Sequence, residues 1–297
     1  KMNMKFSILI CLLGVSTAWW CNGHMVTAMI AQLDLQANSP EVFEQANQIL
    51  APLNGVLTHG LSNSFVETAC WADDLKTYKF EISNDWHYID KPYNVDGLLN
   101  ATGPATNNII WAISQAMSTL RQVNSTSSPL ESSMQLRYLI HWLGDLHQPL
   151  HATQRFTVTQ QSGDAGGNFF KIYYSENPQV NNLHKLWDWA LGTIGDDCPR
   201  PLSSSCWTEI TGYAKAIMDE YTRDKLASYL MYTSTSDWSL QSFRNAVDYV
   251  YSDIEQGKSP TVAYVLRGKP IAQRQLALGG YRLADLLRSL YANPNNS

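Results

Sequence analysis

The chain has 297 residues, 44% of them hydrophobic and 16% charged. That balance excludes a disordered protein and supplies apolar material for one large domain. The net charge of −5 argues against a long basic groove for duplex nucleic acid. Residues 1–18, KMNMKFSILICLLGVSTA, place Lys1 and Lys5 ahead of an apolar run and end in small residues. This is the pattern of a secretory leader, cut after Ala18 to leave Trp19 first. Without Lys1 and Lys5 the mature chain carries −7. No later stretch stays apolar for the roughly 18 residues of a membrane-spanning helix, so the pattern predicts no membrane anchor.

Helical spacing begins at residues 25–35. Ser39-Pro40 then starts a second helix, with serine as cap and proline in the first turn. The same spacing recurs over 109–123, 131–146, 207–232, 238–255 and 269–291, and Ser259-Pro260 repeats the start signal. Residues 168–174, NFFKIYY, are β-favouring and follow the turn-forming SGDAGGN, which predicts a short strand or hairpin arm. The expected fold is a single all-α domain over 19–297, with long loops and at most a short β-hairpin.

Cys11 leaves with the leader. Cys21, Cys70, Cys198 and Cys206 remain, an even number that predicts two disulfides in an oxidising compartment. Three pairings are possible; the favoured one joins Cys198 to Cys206 as a local loop and Cys21 to Cys70 as a long one. Asn100 and Asn124 open glycosylation sequons.

The chemistry concentrates in HWLGDLHQPLH, residues 141–151. On a helix His141 and Asp145 lie four apart and share one face. Pro149 disfavours continued helix at Gln148, which lets His151 turn in from beyond the helix end. His147 falls on another face and is left out. His184 and Asp188 repeat the His–Asp spacing in NLHKLWD. Asp73 stands in CWADDLK, His87 in DWHYID and His24 in WWCNGH. Imidazole nitrogen and carboxylate oxygen form a ligand set that zinc accepts. One HxxxD pair is more often a plain hydrogen-bonded pair. Two such pairs, with five of the seven histidines in short polar motifs, favour metal.

WWCNGH, WADDLK, HYID, HWLGDLHQPLH, GDAGGN and NLHKLWD occur in this order. Together they resemble the zinc-dependent single-strand-specific nucleases, the class I nucleases of the S1/P1 type, which are related in fold to zinc phospholipase C. The resemblance implies three zinc ions. One is held by Asp73, His87, His141 and Asp145. A second is held by His151, His184 and Asp188. The third is held by the amino nitrogen and carbonyl oxygen of Trp19, by His24, and by Asp145 as a bridge. It implies a basic residue beside the scissile phosphate at Lys76, and a base pocket in which Tyr88 stacks and Asp90 accepts hydrogen bonds. Asp164 and Asn168 of the glycine-rich loop take supporting roles; Trp71, Trp142 and Trp187 wall the site.

The activity so implied is that of a secreted, monomeric endonuclease. It cuts single-stranded DNA and RNA to 5′-phosphate products and also acts on 3′-nucleotides. Zinc can bring the pKa of a bound water from 15.7 to about 7, so no side-chain general base is required. Three Zn²⁺ would leave the mature chain at −1, with the positive potential gathered in one cleft. A single strand can present its phosphate to such a cleft more easily than a rigid duplex. Zinc phospholipase C is the alternative enzyme, disfavoured by Asp188, where the phospholipases are expected to carry glutamate. A secreted zinc-stabilised binding protein is the non-enzymatic alternative. It is disfavoured because three or four ligands per ion leave room for water.

Overall fold

The computed structural model describes residues 19–122 and 127–292. The expected leader, the Asn124 sequon and Val123 lie outside the described residues; Asn100 is exposed, as a sequon requires. The chain folds as a mostly helical single domain. Its elements are α1 (Cys21–Asn38), α2 (Pro40–Leu50), α3 (Trp71–Thr77), β1 (Lys91–Asn94), α4 (Ile109–Leu120), α5 (Pro129–His147), β2 (Thr153–Phe156), α6 (Leu183–Asp188), α7 (Ser204–Glu220), α8 (Ala227–Leu230), α9 (Thr235–Asn245) and α10 (Val262–Tyr291).

Two helices are buried nearly all round, and that puts them at the centre. In α1 every residue from Asn22 to Ala31 is buried; in α5 every residue from Leu136 to His147 is. The third central helix, α10, crosses α1 at a glycine pair. A Cβ on Gly280 would lie 2.5 Å from Ile30 Cγ2, and one on Gly279 3.1 Å from Thr27 Cγ2. Apolar clusters flank this centre, one around Trp19, Met29, Trp187 and Leu276, the other around Trp71, Tyr138, Trp142 and Leu139. No described helix is long and apolar enough to cross a membrane.

His147 belongs to the packing. Its Nδ1 donates to the Leu143 carbonyl at 2.7 Å and its Nε2 accepts from Arg282 at 2.8 Å. Arg282 also lies over the Trp238 ring. Burial and then the Arg282 charge hold the imidazole pKa far below its usual range, so it is a neutral acceptor for the guanidinium.

Several elements depart from the sequence expectation. The expected helix over 207–232 breaks after Glu220, because Arg223 turns back to Asp34 on α1 and Asp285 on α10, each at 2.8 Å. The helix expected over 238–255 ends its regular part at Asn245 and passes through a π turn, Ala246–Val250. The last helix starts at Val262, capped by Thr261 rather than Ser259, and carries Pro270 inside it. Ser39 stands at the N-cap position of α2 without a cap bond; its hydroxyl accepts from Arg288 at 2.9 Å.

The hairpin arm expected at 168–174 does not form. Its backbone bonds to surrounding loops instead: Leu183 N–H to Phe170 O, Tyr173 N–H to Lys258 O. Among the described residues the sheet is a parallel pair, β1 with β2, in which Lys91 faces Thr153 and Asn94 faces Phe156. The disulfide Cys21–Cys70 is present. It ties the start of α1 to the turn before α3, a loop closure worth about 4 kcal/mol in the chain-entropy model. The second expected bridge is absent. Cys198 and Cys206 are free thiols, and Cys198 Sγ is directed at the Glu209 carboxylate, 3.8 Å away.

Candidate metal centre

Three buried His/Asp groups converge where α1, α3, α5 and α6 meet. Within each, ligand-capable atoms lie within 4.8 Å of one another: His87, His141 and Asp145; His24, Asp73 and His141; His151, His184 and Asp188. The first two share His141. Asp145 joins them, with Oδ2 at 2.9 Å from His87 Nδ1 and 3.2 Å from His141 Nε2, and Oδ1 at 3.4 Å from His24 Nε2. Asp73 Oδ1 stands 3.7 Å from both His87 Nδ1 and His141 Nε2. All eight histidine and aspartate ligands expected from the sequence therefore come together. His24 is placed beside Asp73 as well as beside Asp145.

The hydrogen bonds show whether these residues fit a cation. His151 Nδ1 meets the His87 carbonyl at 2.7 Å, and His184 Nδ1 meets the Gly166 carbonyl at 2.6 Å. A carbonyl only accepts, so each Nδ1 carries the proton of a neutral ring and each Nε2 carries a lone pair. Those two Nε2 atoms face each other at 3.2 Å, with Asp188 Oδ2 3.3 Å from that of His184. Two imidazole nitrogens and a carboxylate turned on one point are a donor set that a cation could take. His141 repeats the pattern, with Nδ1 at 2.6 Å from the Ala69 carbonyl and Nε2 turned to Asp145. Both nitrogens of His24, His87 Nε2, Asp145 Oδ1 and Asp188 Oδ2 are buried without a hydrogen-bond partner. Ring N–H groups tied to carbonyls are the usual outer support of metal-bound histidine. The residues fit.

Trp19 is fully buried. Its indole donates to the Gly144 carbonyl at 2.9 Å, one residue before Asp145, and the next amide, of Trp20, donates to the Asp188 carbonyl at 2.9 Å. Trp19 and Trp20 are thus pinned between two of the groups.

A model of the S1/P1 nuclease family matches residues 19–292. The chain belongs to the S1/P1 nuclease family. It is 25% identical to nuclease S1 of Aspergillus oryzae over 301 residues, covering 94% of each chain. It is 22% identical to endonuclease 2 of Arabidopsis thaliana over 285 residues, covering 92% of this chain and 90% of that one. It is 28% identical to nuclease P1 of Penicillium citrinum over 185 residues, 57% of each.

In this S1/P1 nuclease burial sets the charge states. Burial holds the His24 imidazole at about 4, helped by neighbouring His141. Burial, then the Lys76 charge, holds His87 at about 4, and burial lowers His151. Neutral imidazoles keep the lone pair that a metal needs. Burial also pushes Asp73 and Asp145 up, but adjacent charge and hydrogen bonds outweigh it and hold both below the usual carboxylate range, Lys76 leading at Asp73 and His141 at Asp145. Asp188 is the opposite case: burial, then repulsion from Asp73 and Asp145, raises it far above that range. A cation beside Asp188 would reverse that shift.

Lys76 reaches Asp73 Oδ1 at 2.8 Å on the same face of α3. Tyr88 is half-buried with its hydroxyl donating to Asp85 at 2.8 Å. Asp90 sits in left-handed backbone at φ 52°. Its carboxyl is pushed up to about 7 by burial, then by Asp164 and Asp85. Asp164 accepts the Arg155 N–H at 3.0 Å and the Tyr251 hydroxyl at 2.8 Å, so its supporting role is to join the glycine-rich loop to β2. The Asn168 amide donates to the Ala165 carbonyl within its own turn at 2.9 Å. Trp71, Trp142 and Trp187 are fully buried core.

Two residues of the centre escaped the sequence reading. Gln148 donates to Asp188 Oδ1 at 2.5 Å and accepts the Leu150 N–H at 2.6 Å; glutamine at a helix end carries no sequence signal of that role. Gly144 lets His24 approach, since a Cβ there would lie 2.6 Å from His24 Nδ1. A glycine inside the helical HWLGD pattern was a readable sign of close approach.

Proposed function

We propose that this nuclease is a secreted, zinc-dependent endonuclease. It hydrolyses the phosphodiester bonds of single-stranded DNA and RNA to 5′-phosphate products and removes phosphate from 3′-nucleotides. The observation that carries this reading is the junction of the groups through Asp145, whose two oxygens face different histidines. Zinc, when bound, supplies Lewis-acid polarisation of the phosphoryl group and a nucleophilic water at neutral pH. His87, His141, Asp145 and Asp73 would hold one ion, His151, His184 and Asp188 a second, and His24, Asp145 and the Trp19 terminus a third. The Cys21–Cys70 bridge supports maturation in an oxidising compartment.

The chain's own groups do the rest. Lys76 holds a positive charge at the mouth of the cluster, where charge develops on the phosphoryl oxygens. Asp85 fixes the Tyr88 ring, making a flat face on which an unpaired base can stack. The Asp90 carboxylate accepts hydrogen bonds from the base edge. A duplex keeps its bases in the stack and cannot use either residue.

The test compares one oligonucleotide sequence, single-stranded and duplexed, beside 3′-AMP and phosphatidylcholine. The expected result is cleavage of the single strand to 5′-phosphate ends, phosphate release from 3′-AMP, and loss of both in chelator. Equal cleavage of the duplex, or hydrolysis of phosphatidylcholine alone, would sink the proposal.

Lys76→Met is expected to lower kcat by about 10²-fold with little change in metal content. A kcat within about threefold of wild type would leave Lys76 as only the ion-pair partner of Asp73.

Asp90 makes a pH-dependent prediction. Its folded pKa of about 7 lies above the ordinary 3.8, so the fold prefers the protonated acid. That preference contributes fully below about pH 4 and is lost as pH rises through 7. Asp90→Asn, which tolerates left-handed backbone, should match wild type near pH 4. It should gain about 2 kcal/mol above pH 7. Thermal unfolding in chelator checks this; an equal Tm difference at both pH values would refute it.

A further inference from the structure

Among the described residues one more group of ligand-capable side chains converges outside the hydrolytic cluster. Cys198, Cys206 and Glu209 each bring one such atom within 4.8 Å of the others. Cys206 and Glu209 lie three apart at the start of α7 and share a face. Cys198 comes from the loop after α6, and its N–H donates to Asn22 Oδ1 at 2.9 Å. Glu209 Oε1 accepts the Tyr213 hydroxyl at 3.0 Å, one turn along α7. That bond sets the rotation of the carboxylate and leaves Oε2 facing Cys198 Sγ at 3.8 Å. In a tetrahedral zinc site with Zn–S about 2.3 Å and Zn–O about 2.1 Å, sulfur and oxygen stand roughly 3.6 Å apart.

We propose that Cys198, Cys206 and Glu209 form a fourth metal site, for one thiophilic divalent cation such as Zn²⁺ or Cd²⁺. Tyr213 is its positioning residue, tied to the carboxylate as outer partners commonly are. Binding replaces two S–H bonds by two metal–sulfur bonds and releases two protons to solvent, with no change in oxidation state. Glu209 is exposed, so water would take the fourth position.

The site is structural in its consequence. The same loop bonds Asn22 through Ile194 O, Asp196 O and Asp197 Oδ1. It ends at Arg200, whose guanidinium grips Asp74, next to Asp73, at 2.7 and 2.8 Å. A cation on Cys198 and Cys206 would brace the start of α1 and the outer face of α3 against α7.

The experiment is a cadmium titration of the mature protein with its hydrolytic sites loaded. Ultraviolet thiolate-to-cadmium absorption reads it, together with proton release and a count of free thiols in denaturant. The hydrolytic cluster contains no thiol, so the band reports this site alone. Wild type should show two free thiols, two protons released and one saturating cadmium equivalent. Cys206→Ser should lose the band while keeping wild-type hydrolysis of single-stranded DNA. Tyr213→Phe should bind cadmium about tenfold more weakly. Reduced thiols that give no band, or mass spectrometry showing Cys198 bonded to Cys206 in the purified protein, would overturn the proposal. Neither outcome depends on the nuclease assay, so failure here leaves the proposed activity standing.

Discussion

Asp145→Asn is expected to lower hydrolysis of single-stranded DNA by at least about 10³-fold and to remove at least one metal ion per chain. The substitution keeps the size of the side chain and removes its charge. Among the described residues that charge is the one anion paired with His24, His87 and His141 at once, at 3.4, 2.9 and 3.2 Å. An amide offers one accepting oxygen where the carboxylate offers two, so at most one of the neighbouring groups keeps its ligand. The second-largest loss elsewhere in the centre should be smaller. His184→Ala removes one ligand from the group of His151 and Asp188 and leaves the other two groups intact. Metal analysis alongside initial rates decides the matter. An Asp145→Asn protein with full metal content and activity within about tenfold of wild type would remove Asp145 from the centre of the mechanism.

A chain that keeps a single residue before Trp19 should bind one metal ion fewer than a chain beginning at Trp19, and should lose about 10²-fold or more in activity. A terminal amine has a basic lone pair and a pKa near 7.7–8.0, whereas an amide nitrogen has none to offer. The structure supplies the placement. The Trp19 indole is tied to the Gly144 carbonyl, and the next amide to the Asp188 carbonyl. Trp19 is therefore held beside two of the groups by its buried indole and by the amide that follows it. His24, with both ring nitrogens lacking a hydrogen-bond partner, is the residue that such an amine would join. Preparing both forms with sequenced N-termini and comparing metal content checks the prediction; equal metal in the two would refute it.

How far the centre was legible follows from the reach of each interaction along the chain. His141 with Asp145 and His184 with Asp188 are one helical turn apart, so 3.6-residue periodicity alone places them together. Pro149 likewise marks the end of α5 and the turn that brings in His151. The parallel pair β1–β2 was hidden: each strand has four residues, β1 contains Pro92, and their partners are 62 positions apart, as Lys91 is from Thr153. The break before Arg223 was hidden for the same reason, since Asp34 is 189 residues away and wins the arginine from a helix whose local propensity would continue. The cysteine count predicted two bridges. The structure makes one, Cys21–Cys70, and leaves Cys198 and Cys206 as neighbouring free thiols, because an even count of cysteines fixes neither the pairing nor the bond.

By itself, then, the sequence determined the helical class, the ligand types, and the pairs that share a turn of helix, because these depend on spacing within a few residues. Only the tertiary structure decided which of those pairs meet. Gly144 admits His24 to the face of α5, and backbone carbonyls at Ala69, His87 and Gly166 set which imidazole nitrogen points inward. Gln148 holds Asp188 in place. Those contacts join residues far apart in the chain, and their energy comes from burial, where an unpaired lone pair or carboxylate is costly enough to select one arrangement.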